Sequence, residues 1–248
     1  MSARAWRGAL VVAGRELGAA FDSSIAWVAT IAALLATTSV FMNGFFLAGK
    51  LDMRPLFELL PLLFVLYMPA LSMRSWSEDL RSRTFELWMT LPLPPGAIVA
   101  GKYLASIALL ALFLAGTLPV VALLVWLGDP DLGRIASGYA GAFLLGATLL
   151  ALGSFCSALS ADQIVAFLSA AFASFVLVYL GEERVVAVLD GALPGLHLGS
   201  FLSEHLSALP PYQSFLRGSL SLGACAWFVG LALLFLALST RAVRRNRA

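Results

Sequence analysis

Charged residues are scarce in this sequence. Only 12% of its 248 residues are Asp, Glu, Lys or Arg, whereas 60% are hydrophobic. A soluble domain carries roughly a quarter charged residues. A globular core of this size cannot take up so much apolar side chain, so a soluble fold would expose much of it to water. The composition excludes an ordinary soluble protein and indicates an integral membrane protein with an apolar, lipid-facing surface.

The motifs of nucleotide hydrolysis and of common hydrolases are missing. The chain has no G-x-x-x-x-G-K-[ST] loop, no H-E-x-x-H and no nucleophile elbow. Its long apolar runs contain almost no ionisable residue, and ion-coupled carriers usually place such residues in mid-span. We therefore expect that the chain is not an enzyme, that it holds no cofactor, and that another protein supplies energy for any work it does.

Cysteine and histidine are also rare. Cys156 and Cys225 fall in apolar runs with no second ligand at metal-binding spacing, so we interpret them as small, membrane-buried side chains. His197 and His205 lie with several acids between residues 181 and 218, but their spacing fits no compact ligand pattern. We expect no metal site. A solvated outer loop is the favoured interpretation of 181–218, and a metal site there is the alternative.

Six segments are apolar and long enough to cross a bilayer, which takes about 20 helical residues. Backbone groups in lipid must be paired within a segment, so each span must be helical. We predict an all-α integral membrane protein with one transmembrane domain over residues 1–248. The predicted spans are residues 25–48, 57–74, 103–128, 135–159, 164–181 and 219–240.

The arginines predict the orientation of these spans. With the N-terminus inside, eleven of the 16 Lys and Arg residues fall in inner segments. Cytoplasmic segments of membrane proteins are enriched in these residues. We therefore expect both termini in the cytoplasm and an extracytoplasmic loop over residues 181–218.

Two amphipathic segments lie outside the predicted spans. Residues 3–22 carry Trp6, Leu10, Ala13 and Leu17 at helical spacing, which predicts an interfacial helix. This helix is either a docking element or a simple membrane anchor.

The second amphipathic segment is the inner loop, where residues 75–91 predict a cytoplasmic helix. We expect Ser77 to cap it and Pro92 to follow its end. Its apolar stripe comprises Leu80, Thr84, Leu87 and Leu91. The helix is either a lever for a cytoplasmic partner or an ordinary interfacial helix.

The inner loop also carries a recognisable pattern of residues, which are Met73-Arg74, Glu78-Asp79, Thr84, Glu86, Leu91-Pro92 and Gly101-Lys102. This pattern resembles the permease subunits of type-2 ABC exporters (the ABC-2 class), especially the gliding-motility-type branch. These permeases have a sequence close to M-R-x-x-x-E-E-x-x-x-G-T-x-E-x-L, followed by a proline and G-K. The chain departs from the pattern at Arg83, where the family usually has glycine.

Three other stretches resemble the same family. They are Arg15–Val28 at the entry into span one, Leu152–Phe167 around the turn between spans four and five, and Tyr212–Gly218 before span six. The family often has histidine at the place of Pro211 and acids at the places of Ser221 and Ala224. The four stretches occur in the family's order over nearly the whole chain.

The resemblance implies a permease subunit of an ATP-binding cassette exporter in the bacterial cytoplasmic membrane. A separate cytoplasmic ABC ATPase would bind ATP and magnesium. A second permease copy or a related permease would complete the membrane part, and a membrane-anchored extracytoplasmic subunit is a further expected partner. We expect membrane lipid as its surroundings and no nucleic acid.

The resemblance also implies roles for particular residues. Those expected to couple to the ATPase are Glu78, Asp79, Arg81, Thr84, Glu86, Leu87, Asp162 and Gln163. Those expected to anchor the cytoplasmic side are Arg15, Glu16 and Lys102.

Two other functions stay open. One is a mechanical subunit that transmits ATPase work to an extracytoplasmic partner, including copper-enzyme maturation, without moving a substrate. The other is a membrane scaffold unrelated to ABC systems. The sequence does not identify a substrate.

Overall fold

The computed structural model describes residues 3–48, 52–84, 88, 93–192, 199, 203 and 205–245. These residues form helices joined by short turns. The helices are α1 (Ala3–Phe21), α2 (Ser24–Ala48), α3 (Arg54–Ser72), α4 (Arg74–Arg81), α5 (Pro95–Gly116), α6 (Leu118–Leu127), α7 (Leu132–Leu159), α8 (Gln163–Tyr179), α9 (Glu183–Ala192), α10 (Leu209–Leu216) and α11 (Leu222–Arg245).

Five helical stretches in the described part of the chain are long and apolar enough to cross a membrane. They are Ala26–Leu47, Arg54–Arg81, Pro95–Leu127, Leu132–Leu159 and Leu222–Arg245. The all-α expectation is therefore met, and the five helices fit a multi-pass membrane protein. The fifth predicted span, residues 164–181, coincides with α8, which is apolar but has only 17 residues. At 1.5 Å per residue α8 rises about 25 Å, less than the roughly 30 Å of a typical hydrocarbon core.

Both ends of α8 can nevertheless be located in the bundle. It follows the end of α7, whose Ser157 contacts the start of α4. At the other end of α8, Leu177 accepts a 2.9 Å hydrogen bond from the Ala208 amide, which precedes α10. Tyr212 of α10 in turn contacts Phe57 in the first turn of α3. The helix therefore runs from one end of the bundle to the other, as α3 does.

These contacts define two ends of the bundle. We call one of them the Lys102 end. There α1, α4, the start of α5 and the ends of α7 and α11 meet around a buried cluster that includes Trp76, Trp88, Ile98, Ala158 and Val243. The opposite one is the Arg54 end, where the first turns of α3 and α7 meet α10.

Helix α7 is the central element, because it packs against α3, α5, α8, α10 and α11. Glycines allow this close packing. A Cβ on Gly146 would lie 2.8 Å from a Leu110 methyl group, and one on Gly138 would lie 2.5 Å from the Phe57 ring. Small residues at helix contacts allow helices to approach closely, and such contacts drive packing in lipid.

The segment between α3 and α5 differs from the predicted cytoplasmic helix over 75–91. Helix α4 begins at Arg74, directly after Met73, and ends at Arg81. Arg83 then adopts a left-handed conformation with φ +58°, which no α-helix continues through. Ser77 is buried inside α4 and donates to the Met73 carbonyl, so the prediction that it caps the helix is wrong. Leu87 and Leu91 of the predicted stripe lie outside the described residues.

The predicted outer loop also contains structure that the sequence did not indicate. Helix α9 and helix α10 lie within 181–218. Tyr212 and Phe215 are fully buried, and the Tyr212 hydroxyl donates a 2.6 Å hydrogen bond to the Phe57 carbonyl. Burial raises the pKa of Tyr212 and keeps this phenol protonated as a donor. The interpretation as a solvated loop is therefore wrong for Leu209–Leu216.

Candidate functional site

Lys102 lies at the start of the third turn of α5 and is almost completely buried, with 2% of its side chain exposed. Its Nζ is 3.1 Å from a Glu16 carboxylate oxygen and 2.8 Å from Asp79 Oδ2. It also donates a 2.7 Å hydrogen bond to the Ser75 carbonyl. The contacts with Glu16 and Asp79 are ion pairs by distance, and Asp79 Oδ2 is a buried oxygen without a hydrogen bond of good geometry. Lys102 therefore ties α1 and α4 to α5.

Two tryptophans complete the surroundings of this cation. The Lys102 Nζ lies 5.1 Å from the ring centroid of Trp76 and 5.2 Å from that of Trp88. The Arg15 guanidinium lies over the same Trp88 ring at 4.6 Å. Cation–π contacts of this kind stabilise a cation that has lost its water. Taking an ammonium group out of water costs several kcal/mol, which the two carboxylates and the two rings offset.

Asp79 connects the buried lysine to the exposed end of α4. Its Oδ2 pairs with Lys102, and its Oδ1 accepts a 2.9 Å hydrogen bond from the Thr84 hydroxyl. The Ser82 hydroxyl lies 2.9 Å from that of Thr84. The turn after α4 is therefore held against the carboxylate that holds Lys102, and a displacement of this turn would act directly on the ion pair.

The start of α4 is capped from another helix. The backbone N–H groups of Trp76 and Ser77 donate to Ser157 Oγ of α7 at 3.0 and 3.1 Å. Ser157 itself donates to the Met73 carbonyl at 2.8 Å. The first N–H groups of a helix have no partner within it, so Ser157 does for α4 what an N-cap residue usually does locally. The Trp76 indole donates to Ser154 Oγ at 3.2 Å, one turn earlier on α7.

A second ion pair closes the same region toward α2. Arg74 binds both carboxylate oxygens of Glu78, at 2.8 and 3.0 Å, and donates to the Ser23 hydroxyl at 2.9 Å. Ser23 lies between α1 and α2. A pocket of about 130 Å³ lies between Arg74, Lys102 and the end of α1. Both of its cations are engaged by acids, so it is a seam between helices with no cation left for a ligand.

The structure brings together most of the residues that the sequence singled out, although they are distant in the chain. Arg15, Glu16, Glu78, Asp79, Thr84 and Lys102 lie in this one network. Lys102 lies inside α5, which begins at Pro95, whereas the predicted span begins only at residue 103. Arg81 is exposed in the last turn of α4. Glu86 and Leu87 lie outside the described residues.

Asp162 and Gln163 form a separate feature. The turn of residues 160–162 separates α7 from α8, as the sequence predicts, and Asp162 is exposed. Its Oδ1 accepts from the Ile164 and Val165 amides at 2.7 and 3.3 Å, which makes it the N-cap of α8. Gln163 is the first residue of α8.

Trp76, Trp88, Ser154 and Ser157 are the site residues that sequence reasoning did not select. A signal existed for the tryptophans, since both lie in a charged segment between two apolar runs. No local pattern marks Ser157 as a cap for a helix that begins some eighty positions earlier.

The fold and the site together define the class of protein. It is an all-α protein with five helices of membrane-crossing length and apolarity, which fits a multi-pass membrane protein, and it carries a buried charge network at one end of the bundle. No protein-family model matches the chain, and a comparison with curated proteins finds no match.

Proposed function

We propose that this chain is the membrane-spanning permease subunit of an ABC exporter of the type-2 class, driven by a separate cytoplasmic ATPase. One observation supports the proposal most. Three of the four stretches that resemble this family contact each other at the Lys102 end. Glu16 and Ser23 belong to the first stretch, Arg74, Asp79 and Lys102 to the second, and Ser157 to the third.

These contacts suit the transmission of force. The turn after α4 is exposed, so an ATPase can press on it from outside the bundle. A displacement of α4 would pass through Asp79 to Lys102 on α5 and through Ser157 to α7. Because the ion pairs are shielded from water, they hold their geometry better than exposed pairs do. In this proposal α1, α4 and α5 move as one unit, with the Lys102 end in the cytoplasm.

Arg83 gives independent support to the resemblance. It occupies the position where the family usually has glycine, and its φ of +58° lies in the region that glycine adopts at no cost. A residue with a Cβ adopts this conformation at a cost of about 1–2 kcal/mol. The loop therefore has, at this position, the left-handed backbone that a glycine would favour, although the residue here is an arginine.

Two departures from the family concern the Arg54 end. Ala224 is buried in α11, where the family often has an acid. Ser221, at the other acidic position, accepts a 3.2 Å hydrogen bond from the Ala224 amide and so caps α11. In this chain both positions stabilise a helix start. The second permease copy and the extracytoplasmic subunit remain part of the proposal through the resemblance alone.

Glu86 provides the test of the proposed function, because the family's pattern has an acid at this position. The chain and an ABC ATPase from the same host would be expressed together, purified and assayed for ATP hydrolysis. We expect the two to co-purify. We also expect Glu86→Ala to lower complex-dependent ATP turnover, or uncouple it from the cellular output, while assembly is retained.

Glu182→Ala is the matched control, because Glu182 is an acid at the Arg54 end, which would face away from the ATPase. Its turnover should equal that of the wild type. If no ATPase co-purified with the chain, the proposed function itself would be wrong. If Glu86→Ala kept full turnover and complementation, the proposed role of Glu86 would be wrong.

A further inference from the structure

A pocket of about 390 Å³ lies at the Arg54 end, between the first turns of α3 and α7 and the end of α10. Its floor is apolar and buried, whereas its rim is charged and exposed. The floor residues are Met53, Phe57, Ile135 and Leu216. A concave site with an apolar floor and a few convergent polar groups is the usual form of a small-ligand site.

Three arginines line the rim, and they are Arg54, Arg134 and Arg217. Arg54 pairs with Glu58, outside this lining, with its Nε 2.8 Å from a Glu58 carboxylate oxygen. The two acids in the lining itself make local contacts. Asp52 accepts from the Arg54 amide at 2.9 Å. Asp131 accepts from the Arg134 amide at 3.1 Å and pairs with Arg134 Nε at 3.1 Å. Arg217 has no acid within ion-pair distance among the described residues, so its guanidinium donors are available to a ligand.

The helix directions add to the positive character of this pocket. Both α3 and α7 begin at its rim, with Arg54 and Leu132 as their first residues. A helix N-terminus carries a partial positive charge. Here Asp52 and Asp131 accept from the Arg54 and Arg134 amides, so it is this charge, and not free N–H groups, that adds to the pocket. The arginines and the two helix starts therefore favour an anion at the same place.

The pocket at the Lys102 end provides a contrast. There Lys102 is paired with Glu16 and Asp79, and Arg74 is bound by Glu78 and Ser23, so no cation is left for a ligand. Cations that are already neutralised hold a structure together, whereas an arginine without an acid beside it can recruit an oxyanion. The Arg54 end is therefore the better candidate for a ligand site.

We propose that this pocket binds an oxyanionic group, with phosphate as the best match. Arg217 can offer paired N–H donors to a phosphate dianion. Arg54 and Arg134 are held in exposed ion pairs, which contribute little energy, so a phosphate can compete with Glu58 and Asp131 for them. The source is either a free phosphate compound or the headgroup of an anionic lipid. The inference does not depend on the proposed ATPase partner, because it rests only on residues of this chain.

The test measures thermal unfolding of the purified protein under two conditions. In detergent, inorganic phosphate is titrated against sodium chloride at matched ionic strength, because ionic strength alone screens exposed charges. In nanodiscs, phosphatidylcholine alone is compared with phosphatidylcholine containing phosphatidylglycerol. We expect a saturable rise in unfolding temperature with phosphate, with phosphatidylglycerol, or with both, and the responding probe identifies the source.

Arg217→Gln is the decisive variant, and Arg184→Gln, an exposed arginine of α9, is the matched control. We expect Arg217→Gln to weaken the apparent affinity at least about tenfold, because a charge-assisted bidentate contact is lost. Arg184→Gln should bind as the wild type does. Both side chains are exposed, so neither change should prevent folding. No response to either probe, or an equal response of Arg217→Gln and the wild type, would overturn the proposal.

Discussion

Lys102 shows how a buried charge is accommodated in a chain that has few charges. Its long side chain starts on α5 and ends between a carboxylate of α1 and one of α4. Glu16 and Asp79 retain partial exposure, at 24% and 16% of the side chain, while the lysine has 2%. Removal of one partner from such a group leaves an uncompensated charge, which costs more than the intact pair contributes.

This imbalance leads to a prediction for Lys102→Met. The change leaves Glu16 and Asp79 facing each other without a cation, so the free energy of unfolding should fall by about 3 kcal/mol. Denaturant titration in detergent micelles would measure it. Asp79→Asn added to Lys102→Met should recover part of the loss, because the repulsion is removed.

The exposed pair of Arg54 and Glu58 provides the control, since about half of each side chain is in solvent. Arg54→Met should change the free energy of unfolding by less than about 1 kcal/mol. If Lys102→Met and Arg54→Met lowered the free energy of unfolding equally, burial would add nothing to the stability of the Lys102 network.

At the scale of elements, α1 behaves as part of the bundle. Its buried face consists of small residues, including Ala5 and Ala9, which pack against Ala97 and Ala100 of α5. Its exposed face carries Trp6 and Leu10, each about half exposed. The sequence assigned Ala13 to the same stripe as Trp6 and Leu10, but Ala13 is buried. One face of α1 therefore packs against α5, and its exposed apolar face suits the membrane interface.

Gly101 is the position where this contact is tightest, and it leads to a prediction. A Cβ there would lie 2.6 Å from the Ala9 carbonyl oxygen and 2.7 Å from Val12 Cβ, so Gly101→Leu should force α1 away from α5. Such overpacking costs about 1–3 kcal/mol. Val12→Cys, in a background with Cys156 and Cys225 replaced by alanine, would report the separation.

With Gly101 unchanged, the thiol of Val12→Cys should resist a water-soluble thiol reagent, and with Gly101→Leu added it should react. Gly14→Leu is the control, because a Cβ on Gly14 meets nothing within 4 Å. If the thiol stayed protected with Gly101→Leu, α1 and α5 would have accommodated the larger side chain without separating.

At the scale of the whole molecule, polar groups concentrate at the two ends and apolar ones between them. The Lys102 end holds the neutralised network, and the Arg54 end holds the arginine-lined pocket. Helices α2 and α11 are little buried within the bundle, since only 22% of the residues in the most apolar stretch of each are buried. Such surfaces suit lipid or a second copy, and the second copy remains a prediction.

The topology prediction belongs to this scale. Reporter fusions after Ala48, Asp131 and Glu204 should report an outside location. If the N-terminus is cytoplasmic, the chain crosses from inside to outside in α2, in α5 with α6, and in α8. Fusions after Ser82, Asp162 and Arg247 should read inside. The fusion after Glu204 tests whether the 17-residue α8 crosses the membrane. An inside signal there would reduce the chain to five spans and place its termini on opposite sides.

Composition and the lengths of the apolar runs were enough to predict the helical class and the approximate position of five membrane-length helices. This was possible because a membrane constrains each segment separately, through its length and its backbone hydrogen bonds. The turn at Asp162 was predictable for a similar reason, since an acid and a serine break an apolar run locally. The sequence also suggested the candidate residues of the inner loop through its resemblance to a family.

Only the tertiary structure decided how those residues meet. The contact of Lys102 with Glu16 and Asp79, and the capping of α4 by Ser157, join positions far apart in the chain, and their spacing follows no helical or strand period. The end of α4 at Arg81 could not be predicted either, because the pattern of residues 75–91 is that of a continuous helix. The hydrogen bond from Thr84 to Asp79 stabilises the turn that interrupts it, and Arg83 adopts the left-handed conformation that this turn requires. Local periodicity determines which segments are helical, whereas side-chain contacts between helices determine where a helix ends and which charges are buried together.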